Sequence, residues 1–147
     1  AVILDLYSGR LPFVFDGGFD FCDCRDVAHA IVNGLIAGTP GENYLLSGKW
    51  HSLLQLAKLF SKISGKKIKV TALPSFMGKA GLPIVKSIAY LKKKEPLYTI
   101  EALEALFAGN RFISSAKAMQ ELNYTIRPFE ETLRDTFNWF QNKGYLG

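Results

Sequence analysis

Leu11-Pro12-Phe13-Val14-Phe15-Asp16-Gly17-Gly18-Phe19-Asp20-Phe21-Cys22-Asp23-Cys24-Arg25-Asp26-Val27-Ala28 is the stretch from which the rest of the chain is read. Two β-favouring runs, Phe13 to Phe15 and Phe19 to Cys24, flank Asp16-Gly17-Gly18, where the glycine pair permits positive φ, and this predicts a hairpin or a sharp reversal. Alternation along the second run places Phe19, Phe21 and Asp23 on one face and Asp20, Cys22 and Cys24 on the other. Asp26 then stands at the start of an amphipathic helix, with Ala28, Ile31, Val32, Leu35 and Ile36 at helical spacing and Gly38 at the stop. An N-cap carboxylate accepts backbone N–H bonds that would otherwise go unpaired, so a structural role is expected for Asp26 before a catalytic one.

Outward from that stretch, strands and helices alternate. Thr39 to Glu42 is a turn, and Asn43 to Gly48 reads as a strand without polar alternation, the pattern of a strand covered on both faces. Ser52 and Gln55 form a capping box for a helix whose buried stripe is Leu53, Leu56, Ala57, Phe60 and Ile63, ending at Gly65. Ile68, Val70 and Ala72 alternate in a strand stopped by Pro74. Residues 75–94 are helical in character but interrupted by Gly78, Gly81 and Pro83, which predicts two pieces or a kink. Thr99 caps a helix running through Phe107, and Arg111 to Ile113 is a brief strand. Ser115 caps a helix carrying Ala118, Met119 and Leu122, with Asn123 as a left-handed stop. Pro128 opens a final helix that repeats Phe129, Leu133, Phe137 and Phe140 on one face and ends at Gly144.

With 48% hydrophobic and 21% charged residues in 147, the chain can bury a core and does not resemble a disordered one, and its length suits a single domain. No apolar run approaches the ~18 to 20 residues of a membrane span, and the opening AVILDLYSGR lacks the pattern of a secretory signal, so a soluble protein with no membrane partner is expected. The net charge of +5 is scattered: Lys66, Lys67 and Lys69 flank a strand, and Lys92 to Lys94 end a helix, where cations complement the dipole. No nucleic-acid motif accompanies them, so no nucleic-acid partner is expected. Cys22 and Cys24 suit a reducing cytoplasm, and no metal site is expected because His29 and His51 stand alone.

The catalytic inventory is thin. The sequence has no GxGxxG, no GxxxxGK[ST], no GxSxG elbow and no HExxH, and its glycines do not form a phosphate-cradling loop between a strand and a helix. Asp20, Asp23 and Asp26 are three apart, but alternation separates the first two and capping occupies the third, so no acid–base dyad is expected. No catalytic residue is assigned.

Several short runs, in order, nevertheless resemble one family. Gly9 to Ala28 is similar to the segment of extended short-chain dehydrogenase/reductases that ends "F-V-x-V-x-D-V-A". Gly41 to Gly48 resembles "G-E-x-Y-x-L-x-G", Ser52 to Gly65 resembles "S-x-x-E-L-A … T-G", and Ser115 to Tyr124 resembles "S-x-K-A-x-x-E-L-G-Y". Trp139-Phe140 fits the family's terminal "W-F/Y" helix. The likeness is strongest to the NAD-dependent epimerase/dehydratase group that includes dihydroflavonol-4-reductase-like proteins.

The resemblance implies an α/β fold in which residues 1–147 are the C-terminal, substrate-binding portion of an extended Rossmann-type enzyme, several helices with short strands. The N-terminal nucleotide-binding βαβ units, with their glycine fingerprint and catalytic Tyr-x-x-x-Lys, are absent from this sequence. The family reduces or epimerises a hydroxy or keto small molecule with NAD or NADP, a tyrosinate exchanging the proton while nicotinamide exchanges hydride. By this resemblance the cofactor belongs to the full-length protein and none is expected on residues 1–147, which alone would be inactive. The expected partners are a small-molecule substrate and the missing Rossmann domain. The first residue, Ala1, also leads to the expectation of a fragment.

In nucleotide-sugar members an Arg meets the substrate's phosphates at the position of Phe19, and an aromatic ring cannot supply that bidentate fork, which favours an apolar or aromatic hydroxy-ketone. The family's pocket rim implies Phe13, Phe15 and Phe19 as substrate contacts, with Tyr98 a weaker fourth. Packing of the three phenylalanines against the core is the alternative. The competing function is a non-enzymatic module of the same ancestry, a homo-oligomer that associates through the seam left by the cofactor domain.

Overall fold

The computed structural model describes residues 2–77 and 100–146. In chain order the elements are α1 (Val2–Tyr7), β1 (Phe13–Phe15), β2 (Gly18–Phe21), α2 (Cys24–Ala37), β3 (Lys49–Ser52), α3 (Leu53–Ser64), β4 (Thr71–Leu73), α4 (Ile100–Ala108), α5 (Ala116–Glu121) and α6 (Phe129–Asn142). This is the expected α/β composition of several helices with short strands. Among the described residues no helix is long and apolar enough to cross a membrane. Most of the interrupted 75–94 stretch, Thr99 and Tyr98 lie outside the described residues.

The core is built on the capping box. Ser52 Oγ accepts the Gln55 N–H at 3.1 Å and Gln55 Oε1 accepts the Ser52 N–H at 2.9 Å, so α3 starts where its apolar stripe can enter the interior. Leu53, Leu56, Ala57 and Phe60 on that stripe are buried with Leu6, Leu11, Val14, Leu106 and Leu133. Phe60 meets Phe137 of α6 edge-on at 5.8 Å and Tyr7 of α1 at 6.4 Å, which locks both termini onto α3. A smaller cluster, Ala30, Ala118 and Tyr124 with Tyr44, Leu46 and Ile126 around it, joins α2 to α5.

Four expectations need correction. Phe13–Phe15 and Gly18–Phe21 do not form a hairpin: β1 pairs in parallel with β4, Phe13 opposite Thr71, and β2 pairs antiparallel with β3, Phe19 opposite His51. The reversal between them needs glycine for room, since neither Gly17 nor Gly18 has positive φ. A Cβ on Gly18 would overlap the His51 carbonyl oxygen, and one on Gly17 would sit 2.6 Å from Leu106 Cγ.

The N-cap of α2 is Asp23, whose carboxylate accepts the Arg25 N–H at 2.9 Å, and Asp26 lies inside the first turn. The strand read at Asn43–Gly48 pairs only from Lys49 onward, so residues 43–48 belong to no ladder. Residues 111–113 form no strand either, and Phe112 is exposed. In addition, Ser115 is the N-cap of α5 without a side-chain bond, the Ala116 N–H reaching Ser114 Oγ at 3.3 Å instead. Asn123 is left-handed, at φ 51°.

The orientation of α2 bears most on function. Asp23, Asp26 and Ala30 face inward, while the apolar stripe points to solvent: Ile31 is 57% exposed, Leu35 84% and Ile36 83%.

Candidate functional site

The expected contact residues divide between the two sheets. Phe13 and Phe15 share one face of β1, with Val14 buried on the other. Phe13 is 51% exposed, while Phe15 is half-buried and meets Phe107 of α4 edge-on at 6.1 Å. Phe19 on β2 is 37% exposed and touches Phe21 at 6.3 Å, edge to face. From Phe21 the aromatic row continues to Phe129 at 5.0 Å and on to His51, stacked on Phe129 at 4.2 Å and 14°. Two clefts among the described residues, of about 250 and 520 Å³, are lined by none of Phe13, Phe15 and Phe19. Tyr98 lies outside the described residues.

The aspartates of the β2–α2 junction are each occupied. Asp20 Oδ1 accepts the Gly48 N–H at 2.6 Å, pinning β2 to the chain entering β3. Asp23 takes a two-pronged bond from Arg25, Nε to Oδ1 at 2.9 Å and Nη2 to Oδ2 at 2.8 Å, and accepts the Thr132 hydroxyl at 2.8 Å. Asp26 is held by Arg127, through its backbone N–H at 2.9 Å and Nε at 2.8 Å. Arg25 extends to Asp135 at 2.7 Å, so the start of α2 is bolted to α6. The guanidinium of Arg25 holds the Asp23 carboxyl far below its usual range against the opposing effect of burial, with the Arg25 N–H and Thr132 adding to the lowering. Burial pushes Asp26 up, but the Arg127 bonds together outweigh it and the net shift is down. Both groups stay ionised and saturated with donors, which is the chemistry of a clamp rather than of an acid–base pair. Arg127 and Thr132, 101 and 109 residues from their partners, were not legible as site residues, because no local spacing encodes such pairings.

Cys22 and Cys24 are free and exposed at the 520 Å³ cleft with Thr132, Asp135 and Trp139. Burial, then Asp20, pushes the Cys22 thiol up, which disfavours the reactive thiolate. Among the described residues no three His, Cys, Asp or Glu side chains gather to hold a metal. The N-terminus of α2 carries Asp23 and Asp26, whose carboxylates oppose an anion where a phosphate-binding helix would attract one.

No family model matches the chain. Over 147 residues it is 24% identical to sterol demethylase protein B of Methylococcus capsulatus, covering 98% of this chain and 44% of that protein. It is 25% identical over 149 residues to a candidate dihydroflavonol 4-reductase of Synechocystis, covering 99% and 43%. The crystal structure of gox2253 superposes with a TM-score of 0.76 at 31% identity, over 99% of this chain and 44% of that one. The chain is a relative of the extended short-chain dehydrogenase/reductases. Likeness of fold reaches further across extended dehydrogenase/reductases, to a UDP-glucuronic acid 4-epimerase from Bacillus cereus in complex with NAD, at a TM-score of 0.61, 17% identity, and 97% and 38% coverage. The chain thus spans less than half the length of these extended dehydrogenase/reductases, as a C-terminal half does.

Proposed function

We propose that residues 1–147 are the C-terminal, substrate-binding half of a cytoplasmic NAD(P)-dependent reductase or epimerase acting on a hydroxy or keto small molecule. The cofactor and the reacting groups reside on an adjoining Rossmann half, and this chain alone performs no turnover. The observation that carries the reading is the coverage: relatives bearing reductase and demethylase names match 98–99% of this chain with 43–44% of their own length. The chain's contribution is to bind and orient. Phe13 and Phe19, exposed aromatics on neighbouring sheets, offer an apolar wall, with Phe15 behind it on Phe107 and Tyr98 as a further contact. A wall of rings excludes water from a carbonyl and offers no fork for a diphosphate, so the substrate is an apolar or aromatic hydroxy-ketone.

The test is a fusion of residues 1–147 to the part of gox2253 that the chain does not match, assayed with NADH and NADPH against aryl and polycyclic ketones. Reduction by the fusion and none by residues 1–147 alone is the expected result. Turnover by residues 1–147 alone at an enzyme-like rate overturns the assignment. The outward stripe of α2 favours a second reading, a self-associating module without catalysis, for which light scattering would report a dimer of the isolated chain.

A further inference from the structure

Cys22 and Cys24 are the two thiols of the chain, both free, both exposed and both on the wall of the 520 Å³ cleft, a pair that the proposed function leaves unused. Asp23 between them decides their direction. Its side chain is turned inward and tied to Arg25 and the Thr132 hydroxyl, so the residues on either side of it face outward together. The clamp also fixes their separation. Asp23 is extended, at φ −83° and ψ 133°, which holds the Cα atoms of Cys22 and Cys24 about 6.5 Å apart.

That spacing suits a bridging ion better than a disulfide. Disulfides span Cα distances of about 4.4–6.8 Å and cluster near 5.5–6 Å, so closing one here means drawing in a backbone that the Arg25–Asp135 and Asp23–Thr132 bonds tie to α6. A linear two-coordinate ion keeps its sulfurs about 4.6 Å apart, two metal–sulfur bonds of about 2.3 Å, and bridges the pair with the clamp intact. The ligand count narrows the ion. Zinc takes three or four protein ligands, and here Asp23 and Asp135 are both committed to Arg25. Two thiolates alone satisfy a soft monovalent ion, copper(I). The missing His or Cys pair, which excludes a four-ligand site, does not exclude this one.

Two surroundings of the pair favour bound thiolates. A monovalent ion on two thiolates leaves one negative charge, and the Arg25 guanidinium lines the same cleft. The Tyr124 hydroxyl is buried without a partner among the described residues, and Cys22 is the ionisable group acting on it most strongly. A neutral thiol is a weak acceptor for such an O–H, whereas a metal-bound thiolate is a good one. We propose that Cys22 and Cys24 form a two-coordinate site for copper(I) in the cleft between the start of α2 and α6. On binding, two S–H bonds give way to two S–Cu bonds, two protons pass to solvent and no electron is transferred.

The test is an anaerobic titration of residues 1–147 with copper(I) in competition with a chromogenic copper(I) chelator. One ion per chain should leave the chelator, with the appearance of a thiolate-to-copper absorption band. Cys22→Ser and Cys24→Ser, both at exposed positions, should each weaken uptake by about 100-fold or more, because neither thiol alone completes the site. Alkylation of both thiols in the folded native chain should abolish uptake with no change of sequence. Zinc(II) should bind at least about 100-fold more weakly than copper(I). The proposal is overturned if the chelator keeps its copper, if either single variant binds as the native chain does, if the alkylated chain still takes up the ion, or if zinc matches copper. A doubling of mass on loading, seen by light scattering, also overturns it, because the ion would then join two chains.

Discussion

Arg127 reaches Asp26 across 101 residues of sequence and holds it three ways, with its backbone N–H on Oδ2 at 2.9 Å, Nε on Oδ1 at 2.8 Å and Nη2 on the same oxygen at 2.7 Å. The contact joins the first turn of α2 to the residues leading into α6, and with Asp23–Arg25–Asp135 it makes a two-point hinge pin between those helices. Asp26→Ala should leave Arg127 facing a hole and lower Tm by about 5 °C or more, whereas exposed Glu131→Ala should change it little, as thermal denaturation followed by circular dichroism will show.

The same clamp sets the response to acid. Asp23 and Asp26 titrate below their unfolded value of about 4, so the unfolded chain binds more protons as pH falls, and the stabilisation present above pH 4 is lost on acidification toward the folded pKa. Urea midpoints should fall steeply below about pH 4 in the native chain and more shallowly in Asp23→Asn, which starts from lower stability.

His51 predicts a second, milder slope at higher pH. Burial against Phe21 and Phe129, then Lys49, lowers its pKa against the opposing pull of Asp20, and its Nε2 is buried without a partner among the described residues. The unfolded chain therefore takes up this proton first, and stability should decline as pH drops below about 6.5. In His51→Phe, which keeps the ring stack, that slope should vanish.

Two glycines should respond oppositely to alanine. At Gly34 in α2 an added methyl meets only Leu122 Cδ1 at 3.8 Å, so Gly34→Ala should stabilise by about 0.5–1 kcal/mol through helix propensity. At Gly48 a Cβ overlaps the Phe21 carbonyl oxygen and presses on Cys22 Cα at 2.9 Å, where the N–H also serves Asp20. Gly48→Ala should open the β2–β3 pairing, visible as lost amide protection at Phe19 and Phe21.

Phe13 and Phe19 are assigned to the substrate and Phe15 to its support. In the active fusion, Phe13→Ala and Phe19→Ala should raise KM for an aryl ketone about tenfold each, the scale of one lost apolar contact. Phe15→Ala should lower Tm as well, because its ring also packs against Phe107.

Helix positions were legible wherever a local signal existed. The Ser52–Gln55 box, the Phe60 stripe and left-handed Asn123 all depend on neighbours within a few residues. Pairings that depend on the whole chain were not. Two β-favouring runs about a glycine pair look like a hairpin, yet their partners, Thr71–Leu73 and Lys49–Ser52, are chosen by packing around Leu106 and His51. Asp26 looks like a cap because its true partner, Arg127, carries no spacing signal, and Asp23 caps in its place. The α2 stripe was read correctly as apolar, but periodicity gives only the existence of a face and not what lies opposite.

The parallel match of Phe13 with Thr71, followed by the Asp26–Arg127 clamp, also sets a timetable. A ribosome releasing this chain exposes the acidic turn of α2 long before the arginine that neutralises it has been made, and the first strand waits more than fifty residues for its neighbour. Native packing is therefore completed only after α6 has left the exit tunnel.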